Sequence, residues 1–250
     1  MSPREVSSVC SQCREQIGVI FMHNTSIVRR VATAAITLAA TAIASIGIAT
    51  PQAAAAAERD PILFVHGWQG SASNWDYMRG RFLAAGYSID ELARFSYDTS
   101  QSNENIALEV KTQVDALRAK TGAAKVDIIT HSMGGLNSRW YLKKLDGLSF
   151  VDDWVSIGGP NHGTEVADGC YDDSCVEMRP GSAFLAELNS GDETPGQVNY
   201  GTWWSPCDEI INPDTSTILS GATNTQTLCI GHISLLSSAT VFEGVRNFVK

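Results

Sequence analysis

The chain has 250 residues, 44% hydrophobic and 18% charged, with 18 Lys and Arg against 27 Asp and Glu. That is an ordinary globular mixture, and the formal charge of −9 argues against nucleic acid or an anionic membrane as a partner.

The first 57 residues do not read as fold. "HNTSIVRR" (23–30) runs from polar to basic, "VATAAITLAATAIASIGIA" (31–49) carries no charge, and "TPQAAAAA" (50–57) supplies small residues. That order is expected of a secretory signal cleaved near Ala57. The alternative is a membrane anchor, which the Ala and Thr content makes only weakly apolar. Translation is expected to start at Met22, so the C-x-x-C pair Cys10 and Cys13 is set aside as lying outside the mature chain. The remaining 58–250 is expected to form one domain, with 14 basic and 25 acidic residues and a net charge of −11.

Along that domain, strand-like and helix-like stretches alternate. "PILFVHG" (61–67) predicts a buried strand ending in a turn, and "NWDYMRGRFLAAG" (74–86) a helix. "LARFSY" (92–97) predicts a second strand. Over 103–120 the spacing of Ile106, Val110, Val114 and Leu117 predicts a helix, stopped by Gly122. "KVDIIT" (125–130) is the next strand, followed by a helix over 133–145 and a strand at "VDDWVSIGG" (151–159). From about 160 to 197 the rhythm fails, apart from a short helical piece, "SAFLAELN". "VNYGTWW" (198–204) and "TQTLCI" (225–230) read as late strands, and "ATVFEGVRNFV" (239–249) as a closing helix. This alternation specifies an α/β fold with a mostly parallel central sheet flanked by helices. Sites in such sheets lie at the carboxyl ends of the strands.

One junction carries chemistry. "THSMGG" (130–135) turns a strand into a helix around Ser132, the pattern of a nucleophile elbow. A serine hydroxyl needs a neighbouring base, usually a histidine oriented by a carboxylate. His131 is adjacent and points away, so packing is its expected role; His66, in "HGWQG", is expected to fix a turn. His162 follows a strand in "GGPNHG", and His232, in "CIGHISLL", lies between the last strand and the last helix. The order serine, acid, histidine favours His232 as base. For the acid, Asp208 in "WWSPCDEI" is favoured over Asp214, which reads as a turn residue. Glu209 is expected to point elsewhere, and Asp192 and Glu193 to be solvated. Oxyanion donors are expected from the amides of Met133, after the nucleophile, and Trp68, in the loop after the first strand. "HGWQG" lacks the Lys-Ser/Thr of a phosphate-binding loop.

"PILFVHGWQGSASNW", "AKVDIITHSMGGLNSRWYLKKLDG", "SPCDEI" and "IGHISLL" together resemble the class 2 lipase family, the small secreted triacylglycerol lipases of bacilli and actinomycetes. The resemblance implies an α/β-hydrolase fold, a triad of Ser132, Asp208 and His232, and an oxyanion hole from Trp68 and Met133. It implies an ester of lipid as substrate, met at an oil–water interface. No cofactor or metal is expected, and the enzyme is expected to be a monomer. Two departures stand out: Thr130 replaces the first glycine of G-x-S-x-G, and 163–197 is longer than in minimal members, a candidate lid or a stapled surface loop. The alternatives are a short-chain carboxylesterase, a polyester or cutin hydrolase, and a non-catalytic binding protein on the same fold.

Four cysteines remain in the mature chain. Cys170 and Cys175 enclose only "YDDS", a small loop to close. Cys207 precedes Asp208 and Cys229 lies three residues before His232, so an acid–base contact brings that second pair together. Disulfides Cys170–Cys175 and Cys207–Cys229 are therefore expected of a chain in an oxidising compartment.

Overall fold

The computed structural model describes residues 59–249. The leader expected over 1–57, the expected start at Met22 and the Cys10–Cys13 pair lie outside the described residues. A six-stranded sheet runs in the order β2-β1-β3-β4-β5-β6. Its strands are β1 (Ile62–Val65), β2 (Leu92–Arg94), β3 (Val126–His131), β4 (Val151–Ile157), β5 (Asn199–Trp204) and β6 (Thr223–Gln226). Every pairing is parallel. Among the described residues, no helix is long and apolar enough to cross a membrane.

The alternation of side chains divides the core between two faces of the sheet. Leu63 and Val65 of β1 pack with α2 (Asn103–Thr121) and α3 (Gly134–Lys144). Ile62 and Phe64 pack with α1 (Asp76–Ala84) and α6 (Ala239–Phe248). On α2 the four apolar residues picked out by spacing are all buried, each contributing roughly 1.5–3 kcal/mol by removal from water. Ser102 caps that helix, its hydroxyl accepting from the Asn105 amide at 3.2 Å, and Gly122 ends it at φ 77°.

The elements depart from the sequence reading in four places. β2 stops at Arg94, although Phe95 and Tyr97 beyond it stay buried. α1 is preceded by a 3₁₀ turn, Ala72–Trp75, rather than starting at 74. The last strand is Thr223–Gln226, not 225–230: an edge strand needs no apolar run, and β6 is a mostly exposed Thr-Asn-Thr-Gln. Past it, the Ile230 amide leaves the ladder to donate to Ser205 Oγ at 2.9 Å. The irregular stretch also holds a helix that spacing did not reveal, α4 (Asp173–Glu177), besides α5 (Ala183–Leu188).

Two glycines let the layers meet at the site. A Cβ on Gly134 would lie 2.6 Å from the carbonyl oxygens of Val65 and His66, and one on Gly67 2.6 Å from Ser132 Cβ. The start of α3 and the loop after β1 are therefore in backbone contact. β1 and β3 are where the strand order reverses, so this contact marks the crevice in which doubly wound sheets bind ligands.

Candidate active site

Ser132 sits between β3 and α3 at φ 54°, in the left-handed region that a side chain enters only under constraint. Its amide donates to Ile157 O and its carbonyl accepts from Gly135 N, both at 3.0 Å. Thr130, in place of the elbow's first glycine, is accommodated: its hydroxyl donates to Val155 O at 2.8 Å, fully buried between β3 and β4.

The loops after β5 and β6 bring Asp208 and His232 together. Asp208 Oδ2 lies 2.8 Å from His232 Nδ1, and the two side chains are only 2% and 3% exposed. Asp208 Oδ1 accepts from the amides of Ile210 at 3.0 Å and Ile211 at 2.9 Å. The carboxylate is thus locked by backbone, with its other oxygen left to accept the Nδ1 proton. That tautomer leaves Nε2 as the free basic nitrogen. Ser132 and His232 line one cavity of about 570 Å³; among the described residues no hydrogen bond joins them, a looseness usual before substrate arrives. Trp68 also borders the cavity. Among the described residues, no backbone or side-chain acceptor meets the Trp68 or Met133 amide.

The other histidines divide as their positions suggest. His131 is buried, and desolvation, with His232 beside it, holds its imidazole well below the usual range. As a neutral ring it donates from Nε2 to His232 O at 3.2 Å. His66 pairs through Nδ1 with Gly67 O at 2.8 Å and stacks on Tyr97 at 4.0 Å, fixing the turn. His162 is not joined to the Asp208–His232 pair; its Nε2 lies 2.7 Å from Glu193 Oε1. Asp214 opens a 3₁₀ turn, accepting from the Thr215 amide.

Two acids were misplaced by sequence reasoning. Glu209 does not point elsewhere: its Oε2 accepts from the His232 amide at 3.0 Å. Glu193 is not solvated. It bridges His162 and the Ser220 amide, while its carbonyl accepts from Arg139, a fully buried residue of α3. Neither contact has a periodic signature. Only the adjacency of Glu209 to Asp208 hinted at the first.

The stretch after β4 walls the cavity and is pinned along its length. Cys170 is bonded to Cys175, and Cys207 to Cys229, with Cα separations of 5.9 and 4.9 Å. Glu177 accepts from both the backbone and side-chain nitrogens of Asn103, and Ser174 donates to Thr99 O. Lys143 of α3 donates to the carbonyls of Leu188, Ser190 and Asp192, and Phe184 stacks on Trp140 at 5.0 Å. Val166, Ala167 and Met178 from this wall, together with Ile210, Ile211 and Ile233, make much of the cavity lining apolar. Among the described residues no group of three His, Cys, Asp or Glu side chains is placed to hold a metal ion.

Comparison with known proteins follows the same line. The profile of the family described as "Lipase (class 2)" matches residues 59–230. A triacylglycerol lipase of Pseudomonas fragi is 34% identical over 117 residues, 44% of this chain and 38% of that protein. The chain spans about two-fifths or less of the length of the curated relatives it matches. A Bacillus licheniformis lipase in its mature form superposes with a TM-score of 0.69 at 19% identity, covering 77% of this chain and 92% of that one. Aspergillus fumigatus lipase B superposes with 0.64 at 19% identity, covering 74% and 50%. The fold shared with these structures is the α/β-hydrolase fold.

Proposed function

Because the chain belongs to the class 2 lipase family, we propose that it is a secreted serine hydrolase of lipid esters, a triacylglycerol lipase working through an acyl-enzyme on Ser132. The observation that carries this reading is the buried Asp208–His232 pair, 2.8 Å apart, opening onto the cavity that Ser132 also lines. His232 Nε2 takes the Ser132 proton as Oγ attacks the ester carbonyl. Asp208 holds the resulting imidazolium through Nδ1. The amides of Trp68 and Met133 receive the oxyanion of the tetrahedral intermediate. His232 then returns the proton to the departing alcohol, and a water deprotonated by the same nitrogen releases the acid.

The apolar lining suits an acyl chain, since each buried methylene contributes about 0.8 kcal/mol. Residues 58–250 act in this reading as one monomeric catalytic domain, exported behind a leader at 1–57, and the two disulfides suit an oxidising compartment. The pinned stretch 163–197 is a fixed wall of the acyl site rather than a lid. A fluorophosphonate probe tests the chemistry: one adduct is expected, on Ser132, absent from Ser132→Ala, whose turnover falls on the order of 10⁶-fold. Undiminished hydrolysis by that variant would sink the assignment. Initial rates across an acyl chain-length series separate a lipase from a short-chain esterase, and a smooth saturation curve as the ester passes into emulsion is the result expected of a fixed wall.

A further inference from the structure

The base is held by more than its carboxylate partner. The Asp208 carboxylate takes the ring of His232, while that of Glu209, the next residue, reaches the backbone amide at 3.0 Å. A Cβ on Gly231 would lie 3.0 Å from Glu209 Oε2, so the carboxylate lies over the Gly231–His232 peptide. From the other side, His131 donates to the His232 carbonyl at 3.2 Å, and its ring packs 4.5 Å from the His232 ring. Both backbone polar groups of His232 are therefore captured by side chains. Regular secondary structure would do this for a residue inside a strand, but His232 stands just before a 3₁₀ turn, Ile233–Ser237. Without such capture the His232 peptide is held only by its neighbours in the turn, among them the Leu235 amide on Gly231 O, and a small rotation there swings Nε2 relative to Ser132.

We propose that Glu209 is a positioning residue for the general base: by accepting from the His232 amide it fixes the backbone from which the imidazole is aimed at Ser132, as Asp208 fixes the ring. This inference rests on the reading of Ser132 and His232 as nucleophile and base. Tandem acids suit the task because their side chains leave one short loop in different directions. Asp208, the shorter, is consumed by the ring and by the Ile210 and Ile211 amides. The longer Glu209 has the reach to span to the preceding peptide bond. Acceptance is the property that matters, so glutamine, which keeps a carbonyl oxygen on the same stem, serves in its place.

The test compares Glu209→Ala and Glu209→Gln in the full chain, on a short soluble ester whose acyl group makes little use of the cavity. Misaiming a reacting group by about an ångström costs on the order of 10²-fold. Glu209→Ala is therefore expected to lose ten- to a hundredfold in kcat, with KM within about twofold, and to react with fluorophosphonate correspondingly more slowly. Glu209→Gln is expected to recover most of that loss. Amide hydrogen exchange at His232 gives a readout that needs no catalysis: roughly tenfold faster in Glu209→Ala, from the loss of the accepting oxygen, and near wild type in Glu209→Gln. A fall in melting temperature with kcat unchanged would reduce Glu209 to a cap on the turn and overturn the proposal. So would Glu209→Gln as impaired as Glu209→Ala, since charge rather than acceptance would then be at work. If the wild type neither hydrolyses esters nor takes the probe, the functional reading fails separately, and unchanged exchange at His232 in Glu209→Ala would overturn the anchor on its own.

Discussion

Adding a single methyl group at Gly67 is the most searching steric perturbation of the site. An alanine Cβ there would lie 2.6 Å from Ser132 Cβ, 3.1 Å from its Oγ and 3.2 Å from His131 O. Carbon atoms in contact prefer about 3.5–4.0 Å, so roughly an ångström has to be found. Ser132 cannot supply it, being tied by hydrogen bonds at both amide and carbonyl and already held at φ 54°. The yielding part is the turn closed by Gly70 N to Gly67 O, with Gln69 at φ 54°, which carries the Trp68 amide. Overpacking of this kind costs about 1–3 kcal/mol in stability. Losing one oxyanion donor costs about 10²–10³-fold in kcat. Gly67→Ala is thus expected to fold, melt a few degrees lower and turn over a soluble ester at least about a hundredfold more slowly. Gly80→Ala is the control: it lies inside α1 with nothing within 4 Å of the added Cβ, and a helical glycine costs about 0.5–1 kcal/mol relative to alanine. It should stabilise the protein and leave kcat untouched. Wild-type turnover by Gly67→Ala would refute both the close approach of the loop and the role given to Trp68.

Further outcomes follow from the buried carboxyls. Asp208→Asn should lose about 10⁴-fold in kcat, because the amide can hold the wrong tautomer of His232, while Asp214→Asn stays near wild type; a reversal in steady-state rates would move the acid and leave the mechanism. Asp127, inside β3, is 1% exposed, and burial, reinforced by the charges of Asp153 and Asp60, raises its carboxyl well above the ordinary 3.8. A raised folded-state value means stability that is complete below the unfolded value and lost as pH rises through the folded one. Asp127→Asn removes that loss, and its side-chain oxygen can still accept from the Asp153 amide, now at 3.1 Å. Its melting temperature should exceed the wild type's at neutral pH and converge with it below about pH 4; a lower value at neutral pH would contradict the argument.

How much of this was legible beforehand depended on periodicity and punctuation. β1, β3 and β4 are largely buried strands closed by turns, and α2 shows its stripe and its terminal glycine, so their order pointed to Ser132 and His232. Asp208 followed from chain order and a strand end. β6 was misjudged because an edge strand of Thr and Asn carries no apolar signal, while the residues after it are more hydrophobic. α4 is five residues long, Asp-Ser-Cys-Val-Glu, too short for a face to repeat. The roles of Glu209 and Glu193 were invisible for a different reason. Each acts across 23 or more positions on a backbone amide or a side chain, and nothing local to either residue encodes that partner.

The bridge between Cys207 and Cys229 has a bearing on how the molecule would age outside a cell. The turn at Ser220 and Gly221 is exposed, the kind of site that proteases nick. A cut there divides the sequence between Asp208 and His232, yet the smaller fragment, with β6 and α6, stays tethered through the sulfurs and paired along β5. The clipped molecule would therefore migrate as one band until a thiol is added and as two afterwards. Its lifetime in a protease-rich medium would be set by the rate of disulfide reduction more than by the rate of the first cut.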